Sequence, residues 1–428
     1  MKNQCTLSLF VPLAFALLFT LAAPMQGWCT ETVLQQFSGP NGATPYAGLI
    51  SDSAGNLYGT TSAGGAYNAG VVFELVNSAG SYSETLLHSF TGGSDGGSPT
   101  AALVMDASGN LYGTAEEGGT GSCSSTGCGV VFELVKSSVY SETVLHRFTG
   151  AGDGGLPVAS LVFDTSGDLY GTAMCGGVGT CSGGSGGYGV VFELIKSEGY
   201  TEVVLHGFAG GADGGVPTAS VILDASSNVF GTTEVGGMGS CSTGGCGVVF
   251  ELVKSSGYAD AVLHRFTGGA DGGRPRGGVT ADSSGNLYGT ATCGGSAACA
   301  GGSGGDGVVF EIAKSTGGLT ALHTFAGSDG AIPIAGPVYD PVSGYLIGTT
   351  FAGGAYGYGT VYEMLPTGAT FNTEWNFTGG TDGGHPVSTI GMCENVALCH
   401  GRCIGVTPLT GAEFNVGAAD AISFNPLL

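Results

Sequence analysis

The string GNLYGT stands at residues 55–60 and returns unchanged at 109–114 and 285–290. Looser copies follow the same pattern: GDLYGT at 167–172, SNVFGT at 227–232 and GYLIGT at 344–349. A fixed recurrence of this kind settles architecture before any single residue is interpreted, because each copy marks one supersecondary unit. Around the string, four β-like segments recur in order, each rich in β-branched or aromatic residues and bounded by Gly, Ser, Asp or Pro. In the second copy they are PTAALVMD at 99–106 (segment a), NLYGT at 110–114 (b), GVVFEL at 129–134 (c) and ETVLHRF at 142–148 (d). The Phe that closes segment d recurs at Phe37, Phe90, Phe148, Phe208, Phe266, Phe325 and Phe377, with spacings of 52 to 60 residues. Four strands in a unit of that length fit a β-propeller blade, whereas solenoid coils are shorter and carry fewer strands.

Counting segments separately gives the number of blades. Segment a begins at Pro45, Pro99, Pro157, Pro217, Pro275, Pro333 and Pro386, and segment d closes at the seven phenylalanines. Segments b and c have six clear copies each, with a worn seventh pair in CIGVT at 403–407 and GAEFNV at 411–416. The expected fold is therefore all-β, a seven-bladed propeller of four-stranded blades, with an open six-bladed ring as the alternative. The chain begins with a d segment, TVLQQF at 32–37, and ends with a c segment. Its N-terminal strand is expected to complete the last blade, removing the exposed sheet edges that invite aggregation.

Composition agrees with a single repeat domain. The 428 residues include 85 glycines but only 15 prolines and no G-X-Y period, which excludes collagen and favours turn-rich β structure. Charged residues make up 10%, too few for a disordered polar chain. Acidic residues outnumber basic ones 33 to 10, giving a formal net charge of -23. Nucleic acid and anionic membranes are poor partners for such a surface. Lys2 precedes an apolar run over 7–23, which reads as a secretory signal peptide within residues 1–29, an uncleaved anchor being the alternative. The propeller is expected over 30–416 and a short tail over 417–428. A monomer, extracellular or periplasmic and free of the membrane after cleavage, is the expected state.

Eight of the 13 cysteines form four close pairs, Cys123/Cys128, Cys175/Cys181, Cys241/Cys246 and Cys293/Cys299, each lying between segments b and c of its repeat. With a leader in front, that placement points to disulfides. A zinc site would need two pairs to converge, and these stand one repeat apart, so no metal is expected there. Cys393, Cys399 and Cys403 form an odd set for which Cys29 is a candidate partner.

The unit, with its DGG, P-x-A-x-L, D-x-S-G-N-L-Y-G-T and G-V-V-F-E-L elements, resembles the bacterial GloVer (Gloeo/Verruco-type) tandem repeat over residues 31–390. Locally, D-x-x-G-N-L-Y is also similar to NHL-type propeller repeats. The resemblance implies export and a propeller-like array; it brings no established activity or catalytic residues.

Most recurrent polar residues read as structural. Asp52, Asp106, Asp164, Asp224, Asp282 and Asp340 end segment a before a turn whose amides they can cap. The segment d histidines (His88, His146, His206, His264 and His323) sit on outer strands far from one another, in packing or strand-edge roles. The segment c glutamates, such as Glu133, are expected to pair across strands or face solvent. Function is then sought in the loops. Loops d–a, with the D-G-G turns (Asp95, Asp153, Asp213, Asp271, Asp382 and the related Asp329), and loops b–c should emerge on one face. The b–c loops carry unlike residues, among them Tyr67, Glu116, Glu117, Met174, Tyr188, Glu234, Met238 and Tyr356, which suits recognition. Arg274, Arg276 and His385 break the repeat in a chain with ten basic residues, as does His400. The expected role is a binding or adhesion module for an extracellular glycan or protein, with no catalytic residues assigned. A carbohydrate-active enzyme, a lyase or glycoside hydrolase, is the alternative and would need two positioned carboxylates or a base with a cation. No cofactor is expected, although D-G-G carboxylates around the channel could hold Ca2+.

Overall fold

The computed structural model describes residues 29–388, apart from 138, 184–185, 238, 242–243, 300–303 and 381, together with 420–426. Strands fall into six four-stranded antiparallel blades, over residues 50–89, 104–147, 162–207, 222–265, 280–324 and 338–376, each ordered a-b-c-d as in the chain. In blade 2 the strands are Val104–Met105, Leu111–Ala115, Val130–Val135 and Ser141–Arg147. Strand a is only two residues long in every blade, because the first half of segment a bends and carries no ladder bonds. Among the described residues no helix is long and apolar enough to cross a membrane.

The expected count of seven four-stranded blades is corrected to six. The remaining position holds a two-stranded sheet, in which Cys29–Gln36 pairs antiparallel with Asp420–Pro426. That partner strand lies in the stretch read as a tail, rather than at 411–416. The signal peptide, Cys393, Cys399, His400, Cys403 and the worn segments at 403–407 and 411–416 lie outside the described residues, as does Met238. The N-terminal strand nevertheless behaves as a d strand. Its register slips between Val33 and Gln35, as every d strand slips one residue before its segment-d histidine or that residue's counterpart, for example between Val131 and Phe132 of the facing strand. Such a bulge adds twist to the outer strand of a blade.

The core lies between blades. The Phe closing each d strand packs against an aromatic ring on strand c of the next blade: Phe90 on Phe132, Phe148 on Phe192, Phe208 on Phe250 and Phe266 on Phe310, with centroids 5.1 to 5.3 Å apart. Phe325 meets Tyr362 in the same way, and Phe37 of the N-terminal strand meets Phe73 of blade 1 at 5.0 Å. The glycine of LYGT makes room for this ladder. A methyl group on Gly113 would run into Phe132 and Leu103.

Hydrogen bonds run the same way around the ring. The first Thr after that glycine donates its hydroxyl proton to a segment a carbonyl of the following unit, from Thr60 to Ala101, Thr114 to Ala159, Thr172 to Ala219, Thr232 to Gly277, Thr290 to Ala335 and Thr349 to Ser388, at 2.9 to 3.2 Å. These threonines are buried, so each bond leaves no orphan acceptor behind. Thr172→Val, which keeps the shape and removes the donor, should lower unfolding stability by about 1 kcal/mol. Denaturant titration checks this, and no change would mean that water replaces the bond.

Candidate ligand-binding site

Short bridges between Gly97 and Glu117, Gly155 and Cys175, Gly215 and Val235, Gly273 and Cys293, and Ala331 and Ala352 join each d–a loop to the b–c loop of the blade it enters. Both loop sets therefore share one face, as strand parity requires.

On that face the D-G-G aspartates are turn caps. Asp95 accepts from the Thr91 amide at 2.8 Å and from the Thr91 hydroxyl, and Asp153, Asp271 and Asp382 repeat the arrangement with Thr149, Thr267 and Thr378. Asp213 and Asp329 cap the Ala209 and Ala326 amides at 2.8 Å. All of these carboxylates but Asp382, whose repeat has Trp375 at that position, face the segment d histidines of their own repeats, at 3.5 to 3.7 Å for His88, His146 and His206, 3.1 Å for His264 and 2.9 Å for His323. Each imidazole stands edge-on to the Phe two residues later. Burial holds His88, His146 and His323 below the ordinary imidazole value, with Asp opposing the shift.

Sequence reading missed a third member of these pairs. Glu142 and Glu202, four residues before the histidines on the d strands of blades 2 and 3, feel the charge of the aspartate one repeat earlier. Burial pushes both carboxyls up to about 7, and the negative charges of Asp95 and Asp153 respectively add to it. Asp260 is likewise raised by burial and by Asp213, against the opposing pull of His206. The signal was present as E-x-x-x-H in segment d, but its partner lies one repeat earlier.

The a-strand residues Asp52, Asp106 and Asp282 cap their turns and also accept from the tyrosine of the next strand, at 3.1 to 3.2 Å. Tyr112 donates as well to Glu133, directly across the ladder, at 2.8 Å. The expected cross-strand role of the segment c glutamates is observed there and at Tyr58–Glu74 and Tyr170–Glu193.

At the centre, the opening residues of all seven segment a copies wall a cavity of about 660 Å³. Small side chains dominate the wall, including Ala47, Ala101, Ala159, Ala219, Gly277 and Ala335. Two charged side chains interrupt it, Glu234 and Arg276. Glu234 is buried and accepts from Arg276 Nη2 at 2.9 Å and from Arg274 Nη2. The Arg276 side chain keeps 44% of its surface exposed, against 9% for Glu234. Two cations on one carboxylate leave a net positive spot in an otherwise acidic protein.

The structure thus brings Arg274 and Arg276 together and leaves the other candidates apart. His385 bonds the Phe351 carbonyl through Nδ1 at 2.8 Å and packs against Phe351 and Tyr358. It occupies the same repeat position as Arg274, one of seven residues held at φ 52° to 57° just before the segment a proline. Glu116 and Glu117 stand in the b–c loop of blade 2; burial raises the Glu116 carboxyl, helped by Glu117. None of these, nor any D-G-G aspartate, is among the described residues of the cavity wall. Among the described residues the acidic group close enough to share a cation is instead Asp164, Asp168 and Glu193 of blade 3, where Asp168 replaces the usual Asn.

All four cysteine pairs are disulfides. One expectation about them is corrected. Pairs one repeat apart do converge, because the b–c loop of one blade meets the d–a loop leaving the blade before it. Cys123, Cys175 and Cys181 have sulfurs within 4.8 Å of one another, as do Cys241, Cys293 and Cys299.

The unit now has defined limits: four strands, a capped d–a turn and a pinned b–c loop. Residues 17–180 match the Gloeobacter/Verrucomicrobia repeat. The match covers the N-terminal strand, blades 1 and 2 and the first two strands of blade 3, and the later blades repeat the same build. No curated protein matches the chain. Among solved structures, a candidate 6-phosphogluconolactonase from Bacteroides fragilis is 14% identical, with 80% of this chain and 86% of that one covered and a TM-score of 0.48. TolB from Acinetobacter baumannii is 13% identical, with 78% and 63% covered and a TM-score of 0.41. A protein of unknown function from Dyadobacter fermentans is 9% identical, with 94% and 100% covered and a TM-score of 0.44.

Proposed function

We propose that this Gloeobacter/Verrucomicrobia-repeat propeller is an exported binding module whose central cavity takes an anionic group of an extracellular glycan or protein. The observation that carries the reading is the Arg276 guanidinium, half exposed on a wall of small side chains and oriented by Glu234. A planar guanidinium fixed by a buried carboxylate presents its remaining donors to a carboxylate or similar anion. Four disulfides support export into an oxidising compartment. Hydrolysis of a glycosidic bond by the usual route uses two carboxylates flanking it. Glu234 is the single carboxylate among the described wall residues and is engaged by two arginines, which favours binding over catalysis.

A panel of acidic and neutral oligosaccharides and peptides tests this. Acidic members should bind, weakening by about 1 kcal/mol, or roughly fivefold, in Arg276→Ala. Equal binding of neutral and acidic members would refute the anion preference. Product release that disappears in Glu234→Gln would replace the reading with the enzymatic one.

A further inference from the structure

We propose that each convergent cysteine cluster, in its thiol form, is a closed tetrathiolate site for one Zn2+ bridging two blades: Cys123, Cys128, Cys175 and Cys181 between blades 2 and 3, and Cys241, Cys246, Cys293 and Cys299 between blades 4 and 5. Three sulfurs of each set already lie within 4.8 Å of one another. A tetrahedron of Zn–S bonds near 2.3 Å has edges of about 3.8 Å, so small side-chain rotations suffice. The fourth sulfur is at the same place: a methyl group on Gly150 would strike both Cys123 and Cys128, and one on Gly155 would strike Cys123 and touch Cys175, while methyl groups on Gly268 and Gly273 would strike Cys241, Cys246 and Cys299.

The surroundings suit thiolates. All eight cysteines are buried. The Cys123 amide donates to Cys128 Sγ at 2.9 Å, and the Cys241 amide to Cys246 Sγ at 3.0 Å, in the manner of the backbone bonds that support ligating sulfur. Both arms of each cluster are tied to one d–a loop, Leu156 and Arg274 donating to the Cys128 and Cys246 carbonyls and Cys181 and Cys299 donating to the Gly150 and Gly268 carbonyls, at 2.7 to 2.9 Å. Separations within pairs alternate 5, 6, 5, 6 along the chain, so each cluster joins one short loop to one long loop.

The chain carries thiols as synthesised, and a phosphine or dithiol regenerates them. Each disulfide then takes up two electrons and two protons, and binding one Zn2+ to four thiols releases four protons, leaving a complex of net charge −2. Metal occupancy and oxidation therefore compete for the same sulfurs.

The test uses the full chain, reduced with a phosphine under anaerobic conditions, desalted and titrated with Co2+ and then Zn2+. Two Co2+ per chain are expected, with the intense visible bands of tetrahedral tetrathiolate cobalt, displaced by Zn2+ and accompanied by protection of all eight thiols from alkylation. Cys123→Ser and Cys241→Ser should each lose one ion, and the double variant both, with β-sheet circular dichroism reporting the fold in parallel. Sub-stoichiometric binding, a spectrum of mixed oxygen and sulfur ligation, or undiminished binding in the double variant would overturn the proposal. So would a reduced chain, folded or unfolded, that binds no cobalt.

Discussion

Replacing Phe132 by alanine should lower unfolding stability by about 3–5 kcal/mol, as for truncation of a fully buried aromatic ring. Phe132 is fully buried on strand c of blade 2, with its ring 5.1 Å from Phe90 of blade 1 and its tip over Gly113. The hole left by truncation has little to fill it. Gly113 offers no side chain, and the neighbouring blade is fixed by the Thr60 bond to Ala101. The cost of such a cavity grows with the volume that cannot collapse. Val139→Ala, on a side chain 73% exposed, serves as the control and should be neutral. Denaturant titration distinguishes the two, and a loss below about 1 kcal/mol for Phe132→Ala would show that the aromatic ladder does not bind the blades together.

The double variant Glu142→Gln/Glu202→Gln should be more stable than the parent at pH 8 by about 2 kcal/mol and nearly equal to it at pH 5. Both carboxyls are pushed up from the usual 4.5 to about 7, first by burial and then by Asp95 or Asp153. A folded value above the unfolded one means stabilisation that is complete below about 4.5 and lost as pH rises through about 7. Above pH 7 each ionised Glu opposes the fold, and Gln, shaped like the neutral acid, removes that penalty. The magnitude is well under the full linkage value, because both groups are only partly buried and solvent screens them. Each also has a buried oxygen without a hydrogen-bond partner, which an amide or protonated acid can reorganise. Melting temperatures across pH 5 to 8 give the comparison. A double variant whose advantage grows toward low pH would reverse the assignment. His88 and His146 work in the opposite sense: their lowered values favour the fold above about 6.5 and cost stability as pH falls through the folded values.

Local pattern carried the architecture, because a blade is built from sequence-adjacent strands. GNLYGT, the closing Phe and the segment a proline each mark one strand, so blades could be counted from spacing alone. The seventh blade rested on the worn segments at 403–416, which lie outside the described residues, and the pairing of Cys29–Gln36 with Asp420–Pro426 has no repeat signature in the partner strand to announce it. Turn capping by Asp106 and cross-strand pairing of Glu133 were legible for the same reason of proximity. What lay hidden were relations between neighbouring repeats. Glu142 beside Asp95, the Thr hydroxyl bonded to the next segment a, and Cys123 beside Cys175 all join residues about one period apart. Periodicity shows that such positions recur, yet it does not say which of them touch. Arg274 and Arg276 were singled out by breaking the repeat, but Glu234, their shared partner, was one variable loop residue among several.

The seven left-handed residues before the segment a prolines have a further consequence. Thr44, Ser98, Leu156, Val216, Arg274, Ile332 and His385 differ in size, shape and charge while keeping φ within a few degrees. From Ser98 to His385, backbone bonds to the preceding b–c loop hold the conformation, such as the Ser98 amide on the Ala69 carbonyl and the Val216 amide on the Tyr188 carbonyl, both at 2.8 Å. The main chain holds the conformation, so side chains as unlike as buried Leu156 and half-buried His385 share one backbone geometry. That arrangement turns the loop face into a register of variable sites, where a new contact can be tried in one unit while the others keep theirs.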